Sequence, residues 1–174
     1  MVEPLRKKPM ITILGIGNTL YSDEGVGVHA LPLLEEAFAG YDNVELVEGS
    51  TDGIKLLGPV ESADYLIVID AINAGKEGGS LIFLYDDEIP AYYGIKMSIH
   101  QVTFQEVLFA AKLREAYPNK IVMIGVQPVS LELGVELSEK VRESLPHLVA
   151  KVKEQVDAWM KEEMLVSQKG TDRR

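Results

Sequence analysis

The run Tyr65-Leu66-Ile67-Val68-Ile69, held between Asp64 and Asp70, most narrows what this chain can fold into. A strand apolar on both faces must be covered on both, as central parallel strands flanked by helices are. Met10 to Gly17 is a second such run, closed by Gly17-Asn18, and Lys120 to Val126 is a third. Asn43 to Val47 and Ser80 to Tyr85 complete a set of five strands.

Helix signals lie between them. Ser22 to Phe38 opens with Ser22 or Asp23 as N-cap and carries Val28, Leu31, Leu34 and Phe38 on one face, with a kink expected at Pro32. Asp52 to Leu57 reads as a short helix stopped by Gly58-Pro59. Thr103 to Leu113 carries a capping box, Thr103 with Glu106, and a buried stripe of Phe104, Val107, Leu108 and Ala111. A long amphipathic helix from Ser138 to about Met160, bent at Pro146, closes the fold. Strands alternating with helices imply a three-layer α/β/α sandwich. Nine residues separate Asp70 from Ser80, too few for a right-handed crossover, so the fourth strand should run antiparallel. One domain over residues 10–162 follows, with an N-terminal extension at 1–9 and a polar tail at 163–174 that frays from Ser167.

Composition excludes several functions. The 174 residues contain no cysteine, which removes disulfides, thiolate metal sites and a cysteine nucleophile, and suits a reducing cytoplasm. A formal charge of −10 argues against nucleic acid, whose phosphates need a cationic face. The apolar runs are strand-sized, too short for membrane insertion, and Arg6-Lys7-Lys8-Pro9 is not followed by a signal-peptide pattern.

Three polar segments each follow a buried strand: Gly15 to Glu24, Glu48 to Thr51, and Asp70-Ala71. Loops beyond the carboxyl ends of parallel strands form the ligand crevice of open α/β sheets. If the first strand lies between the second and third, Glu24 and Asp70 approach each other there. Gly25 and Gly27 fit a place where another backbone or a ligand comes close. His100 sits in a loop before the Thr103 cap, and with the carboxylates would make a mixed oxygen and nitrogen metal site. His29 and His147 lie in helices and read as structural, satisfied or exposed. Gly15-x-Gly17 is half of a dinucleotide fingerprint, but Leu20 stands where a third glycine belongs. A non-catalytic, Rossmann-like nucleotide- or metal-binding module is therefore the alternative reading. No G-x-S-x-G elbow, H-E-x-x-H helix or P-loop lysine occurs.

Gly15-Ile16-Gly17-Asn18-Thr19-Leu20 with Asp23-Glu24-Gly25-Val26-Gly27 resembles the opening signature of the nickel-iron hydrogenase maturation endopeptidases. The likeness continues through Glu48-Gly49-Ser50-Thr51, Ile69-Asp70-Ala71, Ser98-Ile99-His100-Gln101 and Ile124-Gly125-Val126-Gln127-Pro128, colinear from about residue 10 to 160. It implies a phosphorylase/hydrolase-like fold with strand order 2-1-3-5-4 and strand 4 antiparallel. It further implies metal ligation by Glu24, Asp70 and His100, catalysis by Glu24 or Asp70, and substrate contacts at Gly49, Ser50 and Thr51. The metal would be nickel carried by the substrate, with no organic cofactor. The substrate would be a hydrogenase large-subunit precursor, losing a C-terminal extension to an aspartyl-type-like endopeptidase, with metallochaperones as indirect partners. Nickel would either polarise the scissile carbonyl or only position the substrate while a carboxylate activates water. Where the family has Asp-Gly-Gly, this chain has Glu48-Gly49-Ser50, whose side chain is about 1.5 Å longer. That difference weighs against a catalytic Glu48.

Overall fold

The computed structural model describes residues 8–49, 53–95 and 103–171. Five strands form one sheet: β1 (Ile11–Ile16), β2 (Val44–Gly49), β3 (Tyr65–Ala71), β4 (Leu81–Tyr85) and β5 (Lys120–Val126). Their order is β2-β1-β3-β5-β4, parallel except for β4 against β5, as expected from the short β3–β4 connection and from the family resemblance. The register sets Gly15 beside Glu48 and Ile69, so the ends of β1, β2 and β3 lie level.

Every residue of β3 is buried, because its two faces point into two separate cores. Ile67 and Ile69 face a core completed by Val26, Leu34, Val141, Leu148 and Trp159. Leu66 and Val68 face another, completed by Val60, Ile89, Phe104 and Leu108. The helices thus divide into two layers. One holds α1 (Val26–His29), α2 (Leu31–Ala37) and α6 (Glu139–Thr171); the other holds α3 (Leu57–Ser62), α4 (Glu88–Ile95) and α5 (Phe104–Leu113).

The helix boundaries depart from the sequence reading in four places. The expected helix from Ser22 to Phe38 is broken into a 3-10 turn (Ser22–Gly25), α1 and α2, with Pro32 seated in the first turn of α2. First-turn positions have no intrahelical donor to lose, so proline starts the new helix rather than kinking the old one. For the same reason Gly58-Pro59 does not stop a helix: it lies in the first turn of α3, which follows a 3-10 turn at Gly53–Leu56. Helix α4 carries Pro90 and Gly94 and has no amphipathic stripe for a sequence scan to find; Ile89 and Tyr93, four apart, anchor it. Last, α6 passes through Pro146 and continues beyond Met160 to Thr171. The Tyr65 hydroxyl donates to Glu163, and the Tyr65 ring stacks on Trp159 with centroids 4.9 Å apart. These contacts hold the helix past its expected end. The capping box of α5 forms as read, with Glu106 N–H donating to Thr103 Oγ1 at 3.2 Å and Thr103 N–H to Glu106 Oε2 at 3.1 Å.

Candidate active site

The crevice is built from backbone close approaches. Gly17, at φ 149°, lies against the carbonyl oxygen of Glu24, where an added Cβ would come within 2.1 Å. A Cβ on Gly27 would lie 2.3 Å from the Ile69 carbonyl oxygen and 2.4 Å from that of Ile16. Only a hydrogen side chain lets the 3-10 turn and α1 press onto the ends of β1 and β3. The glycines read from sequence as close-approach points are therefore met by backbone. The same contacts set the turn that carries Glu24, half-buried, against β3, whose sixth residue, Asp70, is fully buried.

Asp70 is held at both oxygens. Ala71 N–H donates to Oδ1 at 2.8 Å, and the buried Tyr93 hydroxyl donates to Oδ2 at 2.9 Å. These two bonds fix the orientation of the carboxylate through both of its oxygens. Burial pushes the Tyr93 pKa well above 10.0, and the Asp70 charge and hydrogen bond, Tyr92 and the Glu24 charge push it the same way. Tyr93 therefore stays a neutral donor, and both carboxylates act on its hydroxyl. Its ring meets Phe104 edge-on at 5.0 Å, which ties α4 to α5 behind the site. The Tyr92 hydroxyl donates to Ala71 O at 3.2 Å. Neither tyrosine was legible as a site residue; the Ile89–Tyr93 spacing was the available signal.

Asp23, the neighbour of Glu24 in the same motif, has another task. It is fully buried and accepts four hydrogen bonds: from Val129 N–H (2.8 Å), Ser130 N–H (3.0 Å), Ser138 N–H (2.8 Å) and Ser138 Oγ (2.8 Å). Neither Ser22 nor Asp23 caps its own turn, contrary to expectation; Ser22 instead donates to Glu132 O at 2.8 Å. Asp23 thus fastens the 129–138 segment to the crevice and leaves Glu24 as the carboxylate toward the site. Gln127 fastens a second loop: its Oε1 accepts from Ala74 N–H at 2.7 Å and Lys76 N–H at 3.1 Å, and its Nε2 donates to Asn73 at 3.0 Å.

Of the remaining expected site residues, Gly49 is buried at the end of β2, where a Cβ would meet the Ile16 side chain at 3.1 Å. Ser50, Thr51 and His100 lie outside the described residues. Among the described residues no three His, Asp or Glu side chains gather as a metal site. Glu48 is exposed. His29 is half-buried rather than satisfied, since its Nε2 is buried without a hydrogen-bond partner among the described residues.

A sequence model of the family described as hydrogenase maturation protease matches residues 28–155. The chain is 46% identical over 144 residues to a hydrogenase expression/formation protein of Azotobacter chroococcum, covering 82% of this chain and 69% of that one. It is 39% identical over 132 residues to the hydrogenase 2 maturation protease of Escherichia coli, covering 75% and 80% of the two chains. The solved hydrogenase-maturating endopeptidase HybD of Escherichia coli superimposes with a TM-score of 0.74 at 34% identity, over 88% of this chain and 93% of that one. These likenesses, over most of the chain and on the same sheet topology, place the chain in the hydrogenase maturation protease family.

Proposed function

We propose that the chain cuts the C-terminal extension from a nickel-loaded hydrogenase large-subunit precursor in the cytoplasm. The observation that supports this most is the placement of Asp70, buried near the carboxyl end of β3, doubly hydrogen-bonded and acting with Glu24 on the same Tyr93 hydroxyl. A carboxylate positioned there can take a proton from water as its oxygen attacks the scissile carbonyl. The peptide C–N bond then breaks, and the proton passes to the departing amine. Asp70, locked at both oxygens, suits the base; Glu24, half-buried on its turn, can exchange protons with solvent.

Nickel enters as part of the substrate. Glu24, Asp70 and His100 supply two carboxylates and an imidazole, a donor set of the borderline kind that suits nickel. Three such groups can share an ion already held by the precursor without extracting it. Gly49, Ser50 and Thr51, at and beyond the end of β2, would border the extension. Metallochaperones would act upstream, on the precursor.

The test is an electrophoretic shift of the precursor incubated with this chain, with and without nickel loading. Cleavage should require nickel, and Asp70→Asn and His100→Ala should each slow it by at least about 100-fold. Equal cleavage of nickel-free precursor would remove nickel as the recognition element. Full activity of Asp70→Asn would remove Asp70 as the base.

A further inference from the structure

Next to the crevice, two segments run side by side and turn large apolar side chains outward. Leu20 and Tyr21, just before the Glu24 turn, are both exposed. Opposite them Val129, Leu131, Leu133 and Val135 are exposed as well, Leu133 by 80% and Val135 by 66%. Gly134 N–H donates to Leu20 O at 2.9 Å, and Ser22 N–H donates to Gly134 O at 2.8 Å, so Tyr21 and Gly134 pair as neighbours in parallel strands do. Asp23 N–H donates to Ser130 O at 3.1 Å, and the Asp23 carboxylate holds the same segment from beneath.

The ridge is therefore rigid as well as apolar. Surface loops that serve no partner are ordinarily polar, and a contiguous exposed apolar patch marks an interaction surface. We infer that this ridge is the docking surface for the folded body of the large-subunit precursor, seating an apolar face next to the root of its C-terminal extension. This inference rests on the proposed function and adds the contact by which the substrate is held.

Three observations favour that occupant. Glu24 N–H donates to Tyr21 O at 3.1 Å, so whatever sits on Leu20 and Tyr21 lies beside the carboxylates. The hydrogen-bonded backbone is already ordered, so docking costs little conformational entropy, as suits a protein partner that must be held while one bond is cut. A second copy of the chain is disfavoured because each carries a formal charge of −10.

The Leu131→Ser/Leu133→Ser double variant tests the inference on the full chain with the nickel-loaded precursor. Both side chains are exposed and outside the crevice, so the melting temperature should match that of the parent. KM for cleavage should rise roughly tenfold or more, with kcat at saturating precursor within about twofold. Direct binding, measured in an Asp70→Asn background that stalls cleavage, should weaken by the same factor. Phe109→Ser, an equally apolar exposed site on α5 in the opposite layer, should leave KM unchanged. A double-variant KM within twofold of the parent overturns the inference, as does an equal rise in Phe109→Ser. A parent dimer that the double variant converts to monomer with KM unchanged assigns the ridge to self-association and also overturns it. If the parent neither binds nor cleaves the precursor, the proposed function fails and takes this inference with it. If the parent cleaves and only the ridge variant is silent, the docking inference fails alone.

Discussion

Replacing Asp23 by alanine should cost this protein a large part of its stability while removing neither carboxylate of the proposed chemistry. The carboxylate is fully buried and accepts from the N–H groups of Val129, Ser130 and Ser138 and from the Ser138 hydroxyl. Alanine orphans three backbone donors and one hydroxyl. A buried donor left unsatisfied costs about 1–3 kcal/mol. Val129 is exposed and Ser130 and Ser138 are half-buried, so water reaches part of the vacated space and the lower figure applies to each. The loss is then about 3–5 kcal/mol, which for a chain of this size lowers Tm by roughly 10 °C. Asp23→Asn keeps one acceptor but turns an amide N–H toward a donor, and should lose about half as much. The pH dependence separates this account from simple cavity formation. Burial acts to raise the Asp23 pKa, but the bonds from Ser130, Ser138 and Val129 outweigh it and hold the pKa below its ordinary 3.8. A group whose folded pKa is depressed contributes stability that is fully present above its unfolded value and lost as pH falls through the folded one. The gap between parent and Asp23→Ala should therefore be constant from pH 7 down to about 4 and narrow below that. Thermal unfolding followed by circular dichroism across that range measures it. A Tm within about 2 °C of the parent at pH 7, or a gap that persists unchanged in acid, would refute the reasoning.

Gly27→Ala should be more damaging than its one added methyl suggests. Its Cβ meets two strand carbonyl oxygens at 2.3 and 2.4 Å, so α1 must lift from the sheet; we expect a loss of about 3 kcal/mol or more in urea unfolding, or insoluble protein. Burial, the hydrogen bond to Glu163 and nearby carboxylates push the Tyr65 pKa up to about 12. Its contribution to stability is present below pH 10 and lost as pH rises through 12, so Tyr65→Phe should flatten the alkaline fall in stability, and an unchanged alkaline profile would count against the Tyr65–Glu163 bond.

The sequence by itself determined the elements whose fate is decided locally or by burial on both faces. β3 and β5 carry apolar runs, Tyr65 to Ile69 and Ile121 to Val126, because parallel central strands are covered twice, and the nine-residue β3–β4 connection forced β4 to run antiparallel. The Thr103 capping box involves residues three apart and needs no tertiary partner. Tertiary structure decided whatever depends on partners distant in sequence. Asp23 and Glu24 are neighbours of similar chemistry; the motif resemblance singled out Glu24, but that Asp23 clamps Ser138, 115 positions away, follows only from the fold. Helix α4 exists because Ile89 and Tyr93 find the β-sheet, α5 and Asp70, although its own sequence offers Pro90, Gly94 and no stripe. The extension of α6 past Met160 follows from Tyr65 reaching Glu163 across 98 residues. Helix ends and carboxylate roles alike are set by hydrogen-bond partners that only the folded chain brings within reach.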